Sequence, residues 1–251
     1  MLKDLKLLYM SEQEIINSIQ ERKLSVCVIG LGRIGLPTAI SFANAGLNTF
    51  GIDIDTELIS KIKSNNFPLK DEPGYGFIFE SLIKEGKLKV STNFEDIITK
   101  SDVIILTLPT PINNQNVPDY SAITTVGKQL HDLIDKGTII IVESTIEPGF
   151  IENTLVKILE GEDKKNRVGK DFGLGVCPET ANPGQIKNDF ENLPRLVGAV
   201  DNKTKIIITK IYNHVFPVEI IPMKDCKTAN AVKLTTNVFR DLNIAFVNEL
   251  A

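Results

Sequence analysis

Three glycines stand in G-x-G-x-x-G spacing, Gly30-Leu31-Gly32-Arg33-Ile34-Gly35, directly after an apolar run and directly before a helical pattern. Such spacing suits a diphosphate. The first glycine permits a tight turn, and the second leaves no side chain where a pyrophosphate must approach the backbone. The third lets the following helix pack close to the sheet. The start of that helix, through Arg33, Ile34 and Gly35, offers unpaired N–H groups and the positive end of a dipole. Asp53 closes the next β-rich run, where a carboxylate can accept hydrogen bonds from adenosine ribose hydroxyls. Its charge would repel a 2′-phosphate, so the motif favours NAD over NADP. Arg33 is basic, but it lies in the turn and not after the second strand, where a 2′-phosphate clamp belongs. The alternative is a glycine-rich turn that only packs a helix on a sheet. The complete strand–turn–helix–carboxylate context argues against it.

Other groups able to do chemistry sit in loops or on one late helix. Leu108-Pro109-Thr110-Pro111 and Glu143-Ser144-Thr145-Ile146-Glu147-Pro148-Gly149 each follow an apolar run. In open α/β sheets, ligands bind at such strand ends. Pro109 and the hydroxyls of Thr110, Ser144 and Thr145 are therefore candidates for contact with a cofactor, a water or a substrate oxygen. Each hydroxyl taken singly is equally a turn or cap residue. Glu179, in Cys177-Pro178-Glu179-Thr180, reads either as a buried acid/base or as a solvated loop carboxylate. Lys233 and Asn237 are four residues apart, so on a helix they share a face about one turn apart. An ammonium beside an amide suits a site where an oxyanion develops; a solvated Lys/Asn face is the plain alternative.

The elements that must position these groups follow from periodicity. Ser11-Glu12-Gln13-Glu14 has the form of a capping box opening an N-terminal helix with Ile15, Ile16 and Ile19 on one face. Strands are expected over 24–29, 48–54, 102–108, 138–142, 172–176, 195–200 and 218–221. Helices are expected over 34–45, 57–64, 122–134, 150–159 and 203–212. Strand–helix alternation of this kind predicts an α/β, doubly wound parallel sheet of Rossmann type. The expected organisation is an N-terminal helical extension over 1–22, a dinucleotide-binding domain over 23–222, and the start of a long helix over 223–251. That helix reads as about seven turns. It carries Ile244, Phe246, Val247 and Leu250 with no capping glycine or proline, and an apolar face of this kind needs a covering surface. A homodimer through this helix is the expectation.

Composition narrows the function. At 251 residues, with 42% hydrophobic and 24% charged residues, the chain can bury a full core. A net charge of −4 gives no general attraction to nucleic acid or anionic lipid. No run has membrane-spanning length and the first residues do not resemble a signal peptide, so a cytoplasmic protein is expected. Cys27, Cys177 and Cys226 stand far apart, and His131 and His214 lack ligand spacing, which argues against a disulfide framework and against metal chemistry.

Together these stretches resemble the UDP-glucose/GDP-mannose dehydrogenase family, most closely its UDP-N-acetylmannosamine dehydrogenase-like branch. The resemblance rests on the segments 28–37, 51–54, 108–112 and 143–145, on Pro178-Glu179 and Pro183-Gly184, and on Val232-Lys233-Leu234-Thr235-Thr236-Asn237 leading into 243–251. It implies oxidation of the C6 alcohol of a UDP-sugar to a carboxylate with two NAD⁺. It also implies that Thr145 and Glu179 handle protons and water near the reacting carbon, while Lys233 and Asn237 stabilise oxyanions and Lys233 moves a proton. Departures from the family pattern are Arg33 for an aromatic residue in the turn, Thr180 for an arginine after Pro-Glu, and Asn230 for a glutamate early in the last helix. The resemblance places the nucleophilic cysteine of the second oxidation, and the UDP-binding domain, beyond Ala251. None of the three cysteines present matches that cysteine's motif.

The expectation is therefore NAD binding with an incomplete active site. Two alternatives stay open. One is a hydroxyacid dehydrogenase related to 6-phosphogluconate dehydrogenase, which also pairs a lysine and an asparagine one helical turn apart. The other is an NAD-binding protein without turnover.

Overall fold

A computed structural model of the chain describes residues 6–250. A short 3-10 turn (Leu7–Tyr9) precedes α1 (Glu12–Gln20). Both halves of the α1 capping box form: the Ser11 side chain accepts from the Glu14 amide, and the Glu14 carboxylate accepts from the Ser11 amide at 2.7 Å.

The first mononucleotide unit comprises β1 (Ser25–Ile29), α2 (Gly35–Asn44), β2 (Asn48–Ile52), α3 (Thr56–Lys63), α4 (Gly76–Lys84) and β3 (Leu88–Ser91). The second begins with α5 (Phe94–Ile98), β4 (Val103–Leu106), α6 (Ser121–Leu133) and β5 (Ile139–Val142). A π-helical turn (Ile151–Leu155) then leads into α7 (Val156–Glu160), followed by β6 (Gly173–Val176). The chain continues through α8 (Ile186–Asn192), β7 (Arg195–Ala199), α9 (Asn202–Val215) and β8 (Ile220–Pro222) to α10 (Cys226–Leu250).

Eight strands form one sheet in the order β3-β2-β1-β4-β5-β6-β7-β8. Strand order reverses between β1 and β4, which leaves a crevice at their carboxyl ends. Side chains alternate between two cores, as the pleat requires. Val26, Val28, Val103, Ile105, Ile139 and Ile141 face one core with α2, α4 and α9. Cys27, Ile29, Ile104, Leu106, Ile140 and Val142 face the other with α6, α7 and the start of α10. Burial on both faces explains why these strands are apolar without alternation.

The structure departs from the sequence expectation in three places. α4, β3, α5 and α8 fall where no element was expected. The helix expected over 150–159 begins as a π turn, in which the Val156 amide bonds the Ile151 carbonyl, five residues back. Finally, β7 runs antiparallel to β6 while all other neighbouring pairs are parallel. The link from β6 to β7 holds only the short α8, and an antiparallel pair needs no crossover back to the opposite end of the strands. The first half of α10 packs on β6, β7 and the π turn.

Candidate functional site

The glycine turn leaves β1 at the sheet's switch point. Gly30 has φ +92°, in the left-handed region, and its amide bonds Ile52 O at 2.8 Å. A Cβ on Gly35 would lie 1.7 Å from the Gly30 carbonyl oxygen and 2.4 Å from the Thr107 hydroxyl. Helix α2 therefore seats directly on the turn, and Thr107 bolts it there by donating to Gly30 O at 2.7 Å and Ile29 O at 3.0 Å. A Cβ on Gly32, by contrast, would meet nothing within 4 Å. The amides of Gly32, Arg33, Ile34 and Gly35 have no acceptor among the described residues. Four bare donors at a helix start, with open space beside the middle glycine, fit a pyrophosphate.

Asp53 stands at the mouth of this turn. One carboxylate oxygen accepts from the Leu31 amide at 2.6 Å and the other from the Asp55 amide at 2.9 Å. Each oxygen keeps further acceptor capacity for a hydroxyl ligand. The Arg33 guanidinium is already committed, to Asp71 and Glu72 at 2.7 Å each. Glu72, whose side chain is fully buried, also accepts from the amides of Gly184 at 2.7 Å and Ile186 at 3.3 Å. That carboxylate ties the glycine turn to the loop entering α8.

Across the crevice, the hydroxyls of Thr110 and Ser144 stitch two strand-end loops together. Thr110 donates to Thr145 O at 2.8 Å, and Ser144 donates to Leu108 O at 2.8 Å. Their donor capacity is used inside the protein; accepting capacity remains. Pro109 is exposed between them. Half-buried Thr145 has a hydroxyl without a partner among the described residues.

Beneath these loops lies a charged network that the sequence did not announce. Buried Glu143 accepts from Thr38 of α2 at 2.9 Å, from the Tyr212 hydroxyl at 2.7 Å and from Arg195 at 3.4 Å. The Arg195 guanidinium lies 4.2 Å from the Phe190 ring centroid and 3.8 Å from that of Phe216. The Glu143 carbonyl accepts from the Glu179 amide at 3.2 Å. A cation opening an apolar strand, Arg195, was the one available signal, since such a group needs a buried partner.

Glu179 and Lys233 come within reach of each other's charge without forming an ion pair. Burial raises the Glu179 pKa above the ordinary carboxylate value, opposed by Arg195, by the Ala181 amide and by Lys233. Burial lowers the Lys233 pKa; the Glu179 charge opposes that shift and Arg240 reinforces it. Both groups are thus moved toward their neutral forms, which suits proton transfer near neutrality. Lys233 is 6% exposed. Asn237, half-buried one turn on, accepts from Arg240 at 3.2 Å. Burial pushes the Cys177 thiol up to about 12, with Arg195 opposing, and raises the Cys27 and Cys226 thiols as well. None of the three is activated. Among the described residues there is no cluster of His, Cys, Asp and Glu able to hold a metal, and no helix long and apolar enough to cross a membrane.

Comparison with known proteins places this geometry. Residues 24–216 match the model of the UDP-glucose/GDP-mannose dehydrogenase family, NAD binding domain. A UDP-N-acetyl-D-mannosamine dehydrogenase of Pyrococcus horikoshii is 36% identical over 228 residues, 91% of this chain and 53% of that protein. The solved UDP-D-ManNAc dehydrogenase of P. horikoshii superimposes with a TM-score of 0.84 at 35% identity, over 90% of this chain and 53% of that one. The UDP-N-acetyl-mannosamine dehydrogenase Cap5O from Staphylococcus aureus gives 0.81 at 35% identity, over 90% and 53%. A GDP-mannose dehydrogenase from Pseudomonas aeruginosa gives 0.83 at 26% identity, over 89% and 51%. The chain spans about half the length of the curated relatives it matches.

Proposed function

The chain belongs to the UDP-glucose/GDP-mannose dehydrogenase family, and from that premise we propose that it is the NAD-binding half of an enzyme oxidising the C6 alcohol of a UDP-sugar to the uronic acid. The substrate in this reading is UDP-N-acetylmannosamine, and the product serves polysaccharide or glycan synthesis in the cytoplasm. The observation that carries the proposal is the row of four unpaired amides opening α2 at the carboxyl end of β1, with Glu179, beyond the carboxyl end of β6, and Lys233 within reach of each other's charge.

Gly32, Arg33, Ile34 and Gly35 would hold the pyrophosphate through their amides, and Asp53 the adenosine ribose. Arg33 acts by its backbone, its side chain being held by Asp71 and Glu72. Pro109, Thr110, Ser144 and Thr145 line the nicotinamide side. NAD supplies the hydride acceptor when bound. Lys233, poised toward its neutral form by burial, removes the proton of the C6 alcohol, and the ammonium so formed clamps the developing carbonyl oxygen. Asn237 donates its amide to the same oxygen. Glu179 and Thr145 hold the water that the second oxidation consumes.

A homodimer through α10 completes the reading. Val238, Phe239, Leu242, Ile244, Phe246, Val247 and Leu250 are each more than half exposed on that helix, an apolar surface that a second copy would cover. The test of function joins this chain to the C-terminal half of a relative and supplies UDP-N-acetylmannosamine. Formation of about two NADH per sugar supports the two-step oxidation; one or none refutes it. NAD binding by the chain with no turnover in the joined protein would instead support an NAD-binding protein.

A further inference from the structure

We propose that Arg240 is a positioning residue of this site: its guanidinium fork ties Asn237 of α10 to Asn182 of the loop after Glu179, and so fixes which end of the Asn237 amide faces the reacting oxygen. The inference rests on the proposed chemistry of Lys233 and Asn237, and on a directional hydrogen-bond relay that can be followed atom by atom.

The relay starts at Asp189 of α8, which is 6% exposed. One of its carboxylate oxygens accepts from the Asn182 backbone amide at 2.8 Å and from the Asn182 side-chain amide at 3.0 Å. A carboxylate only accepts, so the Asn182 side chain must turn its Nδ2 toward Asp189 and its Oδ1 away. That oxygen receives Arg240 Nη1 at 2.9 Å, and Arg240 Nη2 reaches Asn237 Oδ1 at 3.2 Å. Arginine only donates, so Asn237 must present its oxygen to Arg240. Its NH₂ is left free, with no acceptor among the described residues. An amide that is to stabilise an oxyanion has to expose its donors, and an unpinned carboxamide is free to present either end.

Position on the helix adds a second constraint. Arg240 lies one turn beyond Asn237 and two turns beyond Lys233, on one stripe of α10. Among the described residues, its bond to Asn182 is the only hydrogen bond that ties α10 beyond Lys233 to the rest of the domain. The helix carrying Lys233 and Asn237 is thereby held against the Glu179–Asn182 loop. The positive charge of Arg240 also opposes protonation of Lys233. Lysine cannot replace the fork, because a single ammonium does not bridge two amides in fixed geometry.

The experiment uses the 251-residue chain without substrate, comparing wild type with Arg240→Lys, Arg240→Gln and Asn182→Ala. The Asn237 side-chain NH₂ is followed by ¹⁵N NMR, and the Lys233 titration by ¹³C NMR of methylated lysines. NAD affinity and thermal midpoint serve as controls. Arg240→Lys and Asn182→Ala should move the Asn237 resonances toward those of a free amide. Because the lost bond was made to Oδ1, its loss should also speed rotation of the NH₂ about the amide C–N bond, whose partial double-bond character a donor on the oxygen strengthens. Arg240→Gln should in addition raise the Lys233 midpoint, while Arg240→Lys, which keeps the charge, leaves it near wild type. Wild-type NAD affinity and midpoint in every variant separate this effect from general unfolding. Unchanged Asn237 resonances in both Arg240→Lys and Asn182→Ala would overturn the proposal. Because no turnover is measured, failure of the relay is distinguishable from failure of the UDP-sugar assignment.

Discussion

A methyl group added at Gly32 should abolish dinucleotide binding and leave the fold intact, whereas the same methyl at Gly35 should damage both. The two glycines are three residues apart, yet their surroundings differ. A Cβ on Gly32 meets nothing within 4 Å, and its φ lies outside the left-handed region. Alanine fits there without strain and restricts the unfolded chain, a change worth about 0.4–1 kcal/mol in favour of folding. A Cβ on Gly35 sits 1.7 Å from Gly30 O, where contacts below 3.0 Å essentially do not occur. Turn and helix must therefore part by more than about 1 Å, at a cost on the order of 1–3 kcal/mol for overpacking. For a domain of this size that lowers the thermal midpoint by roughly 2–12 °C.

The assay is thermal denaturation with and without NAD. NAD at about 100 times its dissociation constant stabilises the wild type by about 2.7 kcal/mol, or roughly 5–11 °C. Gly32→Ala should raise the ligand-free midpoint by about 1–4 °C and lose the NAD-dependent rise. Gly35→Ala should start lower and lose it as well. Two outcomes would refute the reasoning: a full NAD-dependent rise in Gly32→Ala, or a fall in its ligand-free midpoint as large as that of Gly35→Ala.

Three further outcomes follow from the same geometry. Arg195→Met leaves Glu143 buried with only Thr38 and Tyr212 as partners and should cost about 3–5 kcal/mol. Urea denaturation measures this, and adding Glu143→Gln should restore part of the loss; a cost under about 1 kcal/mol would show that the pair is not a working buried contact. Lys233 has its folded pKa lowered from 10.5 by burial, so above that lowered value the folded state binds fewer protons there than the unfolded state. Wild-type stability relative to Lys233→Met should accordingly rise as pH climbs through the lowered value toward the ordinary lysine range, and a flat difference between about pH 7 and pH 10 contradicts the assigned burial. Glutamates introduced together at Phe239 and Leu242, both exposed on α10, should convert a dimer to a monomer in light scattering. A wild type that is monomeric at every concentration tested refutes the dimer.

Much of the first mononucleotide unit was legible because its signals are local. The glycine spacing and the change from apolar run to helical period both lie within a few residues of the atoms they place, as does the capping box of α1 before the unit. The β-rich run predicts β2 to residue 54, yet the strand ends at Ile52, and the next residue, Asp53, turns its carboxylate to the Leu31 amide. β3 passed unnoticed because it is a four-residue edge strand, Leu88-Lys89-Val90-Ser91, with Lys89 exposed between two buried neighbours. Four residues of alternation fall below what periodicity can resolve. The reversed direction of β7 was hidden for another reason: a strand buried on both faces has the same composition in either direction. At the candidate site, type and spacing single out Glu179, Lys233 and Asn237 only beside plain structural alternatives, and their roles come from the family resemblance. Glu72, Asn182 and Arg240 are not singled out at all, because each acts through partners brought close only by the fold.

Glu143 ties the two halves of the site together. Its backbone precedes Ser144 and Thr145, and its carbonyl holds the Glu179 amide. Its carboxylate holds Thr38, inside the helix that begins at the glycine turn, and Tyr212 of α9. An apolar side chain of similar size would fill the same space, and buried ion pairs give little net stability over such replacements. What an apolar residue cannot do is fix direction. Hydrogen bonds set the spacing of the Thr38, Tyr212 and Arg195 groups around one carboxylate to within tenths of an ångström, and Arg195 is held in turn between Phe190 and Phe216. Helix α2, the Thr145 loop and the Glu179 loop are thereby referred to a single point. In the proposed reaction, the helix grips the dinucleotide while the loops present hydroxyl and carboxyl groups to the substrate. An error of about 1 Å between them would be felt in the rate.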